Sequence, residues 1–176
     1  MTALVKRQFD SADNMTERMD ALSILNQIDD PARTRALVAF YDRYKDDHLV
    51  VNKWLAVQAA APLPDTLATV RRLMQHNAFD LKNPNKVRAV VTTFAMTNPV
   101  NFHAIDGSGY AFLADQILAI NTFNPLTAAR LVPPLGRWRR FDPTRQKLIK
   151  AQLERLAAAP ELSPDVYELV MKGLAA

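Results

Sequence analysis

Three histidines, His48, His76 and His103, are the side chains of this 176-residue chain whose ordinary titration falls near neutral pH. Catalysis at that pH draws on a titratable group, a nucleophile or a metal. None of the three stands in the His-Glu-x-x-His spacing that sets two imidazoles and a carboxylate on one helical turn. Asp46-Asp47-His48 offers three ligand types, but adjacent helical residues point in different directions, so the triplet reads as a solvated helix end. His103 runs into Asp106-Gly107-Ser108-Gly109-Tyr110, and a phosphate loop there would need a preceding strand and a following Lys-Ser/Thr. Both are missing, and the glycines read instead as a sharp turn into the next helix. No nucleophile elbow is present. A Ser-His-Asp set assembles in space, so spacing does not address it. Trp54 and Trp138 read as core or interface anchors. The residues by themselves point to no active site, metal or cofactor.

The remaining charge is uneven. A net +4 is concentrated in residues 137–155, where Arg137, Arg139, Arg140, Arg145, Lys147, Lys150 and Arg155 face only Asp142 and Glu154. Such a stretch can meet phosphates, yet a solvated helix face or an acidic partner surface is the simpler reading, since charge alone does not identify a partner. The chain has no cysteine, which removes disulfides and thiolate metal sites and suits a reducing compartment. The longest apolar run, Val57 to Leu63 interrupted by Gln58, is far too short to cross a bilayer. The N-terminus shows no apolar run of the secretory type. A cytoplasmic location away from any membrane is expected.

The elements that must position these residues are helices. Six of the eleven prolines directly follow a helix-capping residue: Asp30-Pro31, Asn83-Pro84, Asn98-Pro99, Asn124-Pro125, Asp142-Pro143 and Ser163-Pro164. A short polar side chain at the cap accepts from an unpaired backbone N–H one turn in. Proline at the next position lacks the N–H that would go unpaired, and its fixed φ suits a helix. Apolar residues at helical spacing follow most pairs, as in Val87, Val90, Val91 and Phe94. Asp13 or Asn14 can cap a helix through Met15, Met19, Leu22 and Leu25, and Pro133-Pro134 must bend or end the helix begun at Asn124. Apolar residues make up 49% and glycine only four positions, which suits a folded helical domain and leaves little for the turns of an all-β fold. The expectation is an all-α chain of about nine short helices, antiparallel pairs stacked as a superhelical, solenoid-like layer, with a compact bundle second. Residues 1–176 form one domain, in which residues 1–10 show no strong pattern and read as a lead-in segment.

Several strings are more specific. Ala12-Asp13-Asn14-Met15-Thr16-Glu17-Arg18, Asn52-Lys53-Trp54-Leu55-Ala56-Val57-Gln58 and Asn83-Pro84-Asn85-Lys86-Val87-Arg88 stand in that order. Phe102-His103-Ala104-Ile105-Asp106-Gly107-Ser108-Gly109-Tyr110, Asn124-Pro125 through Arg130-Leu131, and Leu162-Ser163-Pro164-Asp165-Val166-Tyr167-Glu168 follow. Together they resemble the C-terminal region of the bacterial aminopeptidase N family over nearly the whole chain. The resemblance implies a longer parent chain, a zinc metallopeptidase that removes N-terminal residues from peptides. The zinc motif and the Gly-x-Met-Glu-Asn amine-binding motif of its catalytic domain are absent from this sequence.

What the resemblance implies is a noncatalytic, all-helical domain without its own cofactor, covering the catalytic domain of the same chain and shaping access to zinc. It also implies that Arg88 and Arg130, at the family's two arginine positions, lie in the substrate channel and meet the peptide beyond the scissile bond. Structural ion pairs are the alternative for both. Leu126 departs from a polar residue found in some relatives. Two other classes remain open: a stand-alone helical scaffold binding a protein or peptide in its groove, and, least favoured, a nucleic-acid binder using residues 137–155.

Overall fold

The structure is a computed structural model and describes residues 2–175. Its first helices are α1 (Thr2–Ser11), α2 (Met15–Leu25), α3 (Pro31–Tyr44), α4 (His48–Ala59) and α5 (Thr66–Met74). A central group follows: α6 (Pro84–Val87), a π-helical segment (Arg88–Thr92), α7 (Thr93–Thr97), α8 (Pro99–Phe102), α9 (Ser108–Asn121), α10 (Pro125–Ala129) and α11 (Pro133–Gly136). A 3-10 turn (Trp138–Arg140), α12 (Pro143–Ala157) and α13 (Pro164–Ala175) complete the chain. No strand occurs among the described residues. The all-α expectation holds.

The capping pairs work as their chemistry requires. Asp30, Asn83, Asn98, Asn124 and Asp142 each accept a backbone N–H of the helix they open. Asn14 does the same for α2, through Glu17 N–H at 2.9 Å, and Asp47 for α4, which accounts for the Asp46-Asp47-His48 triplet. Ser163 precedes α13, but its hydroxyl is buried without a partner; its N–H instead donates to Asn121 Oδ1. Helix α10 ends at Ala129, ahead of Pro133-Pro134, and the double proline stands at the start of α11.

Residues 1–10, expected to be a patternless lead-in, carry α1 from Thr2 onward. Val5 and Phe9 are buried against α2 and α3. A single pair one turn apart is too short a pattern to read as periodic. Met1 lies outside the described residues. The nine expected helices correspond to α2, α3, α4, α5, the rod in which α6, the π segment and α7 run on as one, α9, α10, α12 and α13. Helix α1 and the short α8 and α11 are additional.

Contacts run mainly between chain neighbours: α1 on α2, α2 on α3, α3 on α4, α4 on α5 and on the π segment. At the other end α9 meets α10 and α12, while α13 covers α10, α11 and α12. That neighbour-to-neighbour pattern is how stacked helical layers bury a continuous core. The two tryptophans are anchored in it, Trp54 Nε1 donating to Leu37 O at 2.9 Å and Trp138 Nε1 to Gly173 O at 2.8 Å.

Candidate functional site

Two Asn-Pro starts bring arginines to one groove. Asn83 Oδ1 accepts from Asn85 N–H at 3.0 Å and opens α6, directly after which stands Arg88. Asn124 Oδ1 accepts from Thr127 N–H at 3.0 Å and opens α10, directly after which stands Arg130. Asn85, Val87, Arg88 and Thr92 form one wall of a groove of about 200 Å³, and Thr127, Arg130 and Leu131 form the other. Both arginines are exposed. Neither makes an ion pair among the described residues. Two uncommitted guanidinium forks on one groove suit a carboxylate, whose two oxygens match their paired donors.

The helix beneath Arg88 is unusual. Thr93 N–H donates to the Arg88 carbonyl five residues back, and the Thr93 hydroxyl donates to the same oxygen at 3.1 Å. Such π turns are rare and recur at functional sites. Val87, Val90, Val91 and Phe94 are fully buried on α4 and α5 below it, so the backbone carrying Arg88 is anchored while its side chain meets solvent. Lys86, next to this face, is buried too, and desolvation holds its ammonium below the usual lysine range. Leu126 is exposed and lines a neighbouring cleft with Arg130, Asp165 and Glu168 rather than the groove itself.

The other chemistry-bearing residues have structural partners. His103 Nδ1 lies 2.9 Å from the Tyr110 hydroxyl, and its ring stacks 4.3 Å from Phe141. Burial first, and then the Arg145 charge, hold its pKa below the ordinary 6.5. His76 lies among Tyr41 and Trp54 and accepts from Ala78 N–H. The residues of this chain do not fit a zinc ion: among those described, no three His, Asp or Glu side chains converge. Gly107 takes φ +73° before α9, and a Cβ on Gly109 would stand 2.4 Å from the Phe102 carbonyl oxygen. The glycines therefore serve the turn. In the basic stretch Arg145 pairs with Asp142, Lys150 with Glu154 and Arg155 with Asp115, while Arg139 lies 4.0 Å over the Trp138 ring.

A family model described as "Domain of unknown function (DUF3458_C) ARM repeats" matches residues 1–175. The chain belongs to this family. The chain is 48% identical over 166 residues to aminopeptidase N of Caulobacter vibrioides, covering 94% of this chain and 19% of that protein. It is 42% identical over 172 residues to aminopeptidase N of Escherichia coli, covering 98% and 20%. Among solved structures it resembles Legionella pneumophila aminopeptidase A in complex with aspartic acid, with a TM-score of 0.93 and 37% identity, over 99% of this chain and 20% of that one. The matched part of the aminopeptidase N relatives is their C-terminal part. The chain thus spans about a fifth of the length of the relatives it matches.

The sequence does not mark three features in and around these sites. The π turn carries no composition of its own, Thr92 lies in no motif and Thr127 is not set apart within its own, and the His103–Tyr110 bond links side chains that sequence spacing alone does not pair. No helix of the described residues is long and apolar enough to cross a membrane.

Proposed function

We propose that this chain is the noncatalytic helical domain of a zinc aminopeptidase that removes N-terminal residues from peptides, and that it covers the catalytic domain and shapes access to it. Bond cleavage then belongs to the remainder of the longer chain, since the histidines and carboxylates here do not converge on a metal site. A cytoplasmic setting goes with this reading, because a chain without cysteine needs no oxidising compartment to fold.

The observation that carries the proposal is the groove shared by Arg88 and Arg130, two exposed guanidinium groups without ion-pair partners on one concave surface. In this reading they form the distal part of the substrate channel and hold the C-terminal carboxylate of the peptide. Kinetics of the longer enzyme test it. Arg88→Ala or Arg130→Ala is expected to raise KM for peptides by about tenfold, equivalent to about 1.4 kcal/mol, and to leave KM for single-residue aminoacyl amides unchanged. Only a peptide reaches that far. Equal losses on both substrate types would assign the arginines to structure instead.

A further inference from the structure

A second concavity shares no lining residue with the arginine groove. Its volume is about 230 Å³, and Met96, Phe102, His103, Phe141 and the Pro133-Pro134 pair form most of its wall. Ala95, Arg137 and Arg140 complete the lining, which contains no carboxylate. Drug-sized sites run to roughly 300–1,000 Å³, so this one has room for a single ring or branched group.

The walls are held in place. The His103 ring stacks on Phe141 at 4.3 Å, its Nδ1 meets the Tyr110 hydroxyl at 2.9 Å, and Arg145 Nε donates to its carbonyl at 2.7 Å. Gln146 Nε2 donates to the Phe141 carbonyl at 2.8 Å, which fixes the turn that carries Arg140. A cavity whose shape exists before a ligand arrives avoids the cost of ordering it. Arg137 and Arg140 are exposed, and neither makes an ion pair or a side-chain hydrogen bond among the described residues. Their neighbours in the basic stretch are committed otherwise, Arg145 to Asp142 and Arg155 to Asp115. Two free cations therefore stand on the rim of an aromatic, proline-walled hollow.

We propose that this pocket binds a small aromatic carboxylate, the ring between Phe102, Phe141 and the prolines and the carboxylate on Arg137 and Arg140. A bare phosphate would leave the apolar wall unused. A neutral aromatic would leave both guanidinium groups without an acceptor. The site follows from its own lining and does not depend on the aminopeptidase reading.

Calorimetric titration of the 176-residue chain with phenylacetate and with its neutral isostere phenylacetamide tests the charge requirement on the unaltered protein. Phenylacetate is expected to bind at least about tenfold tighter, as a charge-assisted contact requires. N-acetylphenylalanine, which mimics a peptide ending in an aromatic residue, separates two sources of the same chemistry: tighter binding than phenylacetate assigns the site to peptide ends, and weaker binding assigns it to free acids. Arg137→Gln/Arg140→Gln is expected to remove the preference for the acid. Met96→Glu, which brings a carboxylate to the rim at an exposed position, is expected to abolish binding of the acid. Equal affinity for acid and amide, inorganic phosphate binding as tightly as phenylacetate, or displacement of phenylacetate by a single-stranded oligonucleotide would each overturn the proposal.

Discussion

Helices α2 to α5 and the central segment from Asn83 to Arg140 solve the same folding problem by different means. The first region uses rods of nine to fourteen residues, each burying an apolar face such as Ala21, Leu22 and Leu25 or Val51, Trp54 and Leu55. The central segment includes helices of four or five residues, too short to be held by one apolar stripe. Buried polar side chains and a close-packed glycine hold it together with its buried apolar residues. Asn98 is buried, its Nδ2 donating to Ala59 O at 3.0 Å and Ala61 O at 2.8 Å while its Oδ1 accepts from Asn101 N–H. Both concave sites are lined by residues of this capped segment, joined only by Phe141 just beyond it. Surface side chains are thus placed by local backbone-level bonding, and burial supplies the platform beneath.

The sharpest way to break this contrast is Gly109→Ala. Its Cβ would meet the Phe102 carbonyl oxygen at 2.4 Å and Phe102 Cα at 2.8 Å, so backbone must move. The expected loss is about 3 kcal/mol or more in urea unfolding, within the range of a core Leu→Ala change. Gly136→Ala is the control: the nearest atom to its Cβ is Gly173 Cα at 3.9 Å, and the change is expected to fall within about 0.5 kcal/mol of neutral. A near-neutral Gly109→Ala would mean that the central segment tolerates slack that its packing denies.

Asn98→Ala comes next. It removes a cap and leaves two buried carbonyls with one partner fewer, for an expected loss of about 2–3 kcal/mol. Asn83→Ala, at an exposed cap, is expected to cost only about 1 kcal/mol. Equal losses in thermal or denaturant unfolding would erase the distinction between a cap that joins layers and one that only starts a helix.

Much of this architecture can be read from the chain, because caps and prolines are local signals. The starts of α3, α6, α8, α10, α12 and α13 follow from Asx-Pro or Ser-Pro pairs, and the core face Val87, Val90, Val91 and Phe94 from its spacing. Helix α1 is not legible, since its burial rests on Val5 and Phe9 alone while Leu4 faces solvent. The π turn after Val87 is not legible either, for it depends on which carbonyl Thr93 reaches rather than on residue type. Arg88 and Arg130 stand out in the sequence only through resemblance. Their meeting on one groove is a product of tertiary packing, which spacing does not encode.

A smaller effect is expected from pH. Burial and Arg145 hold His103 below its ordinary 6.5, so the unfolded chain binds the proton more readily. Stability is then full above about pH 6.5 and falls as pH drops through that value toward the folded pKa. The melting temperature is expected to decline between about pH 7 and about pH 5, and to decline less in His103→Gln. An unchanged slope in that variant would place the dependence elsewhere.

If Arg88 and Arg130 together hold one carboxylate, as proposed, removing the charge from the peptide must matter as much as removing the arginines. In the longer enzyme, KM is measured for one peptide with a free C-terminal carboxylate and for the same peptide amidated, before and after Arg88→Ala, Arg130→Ala and both together. The expected result is a rise of about tenfold for the free acid, little change for the amide, and a double variant no worse than the sum of the two. Equal changes for acid and amide would contradict it.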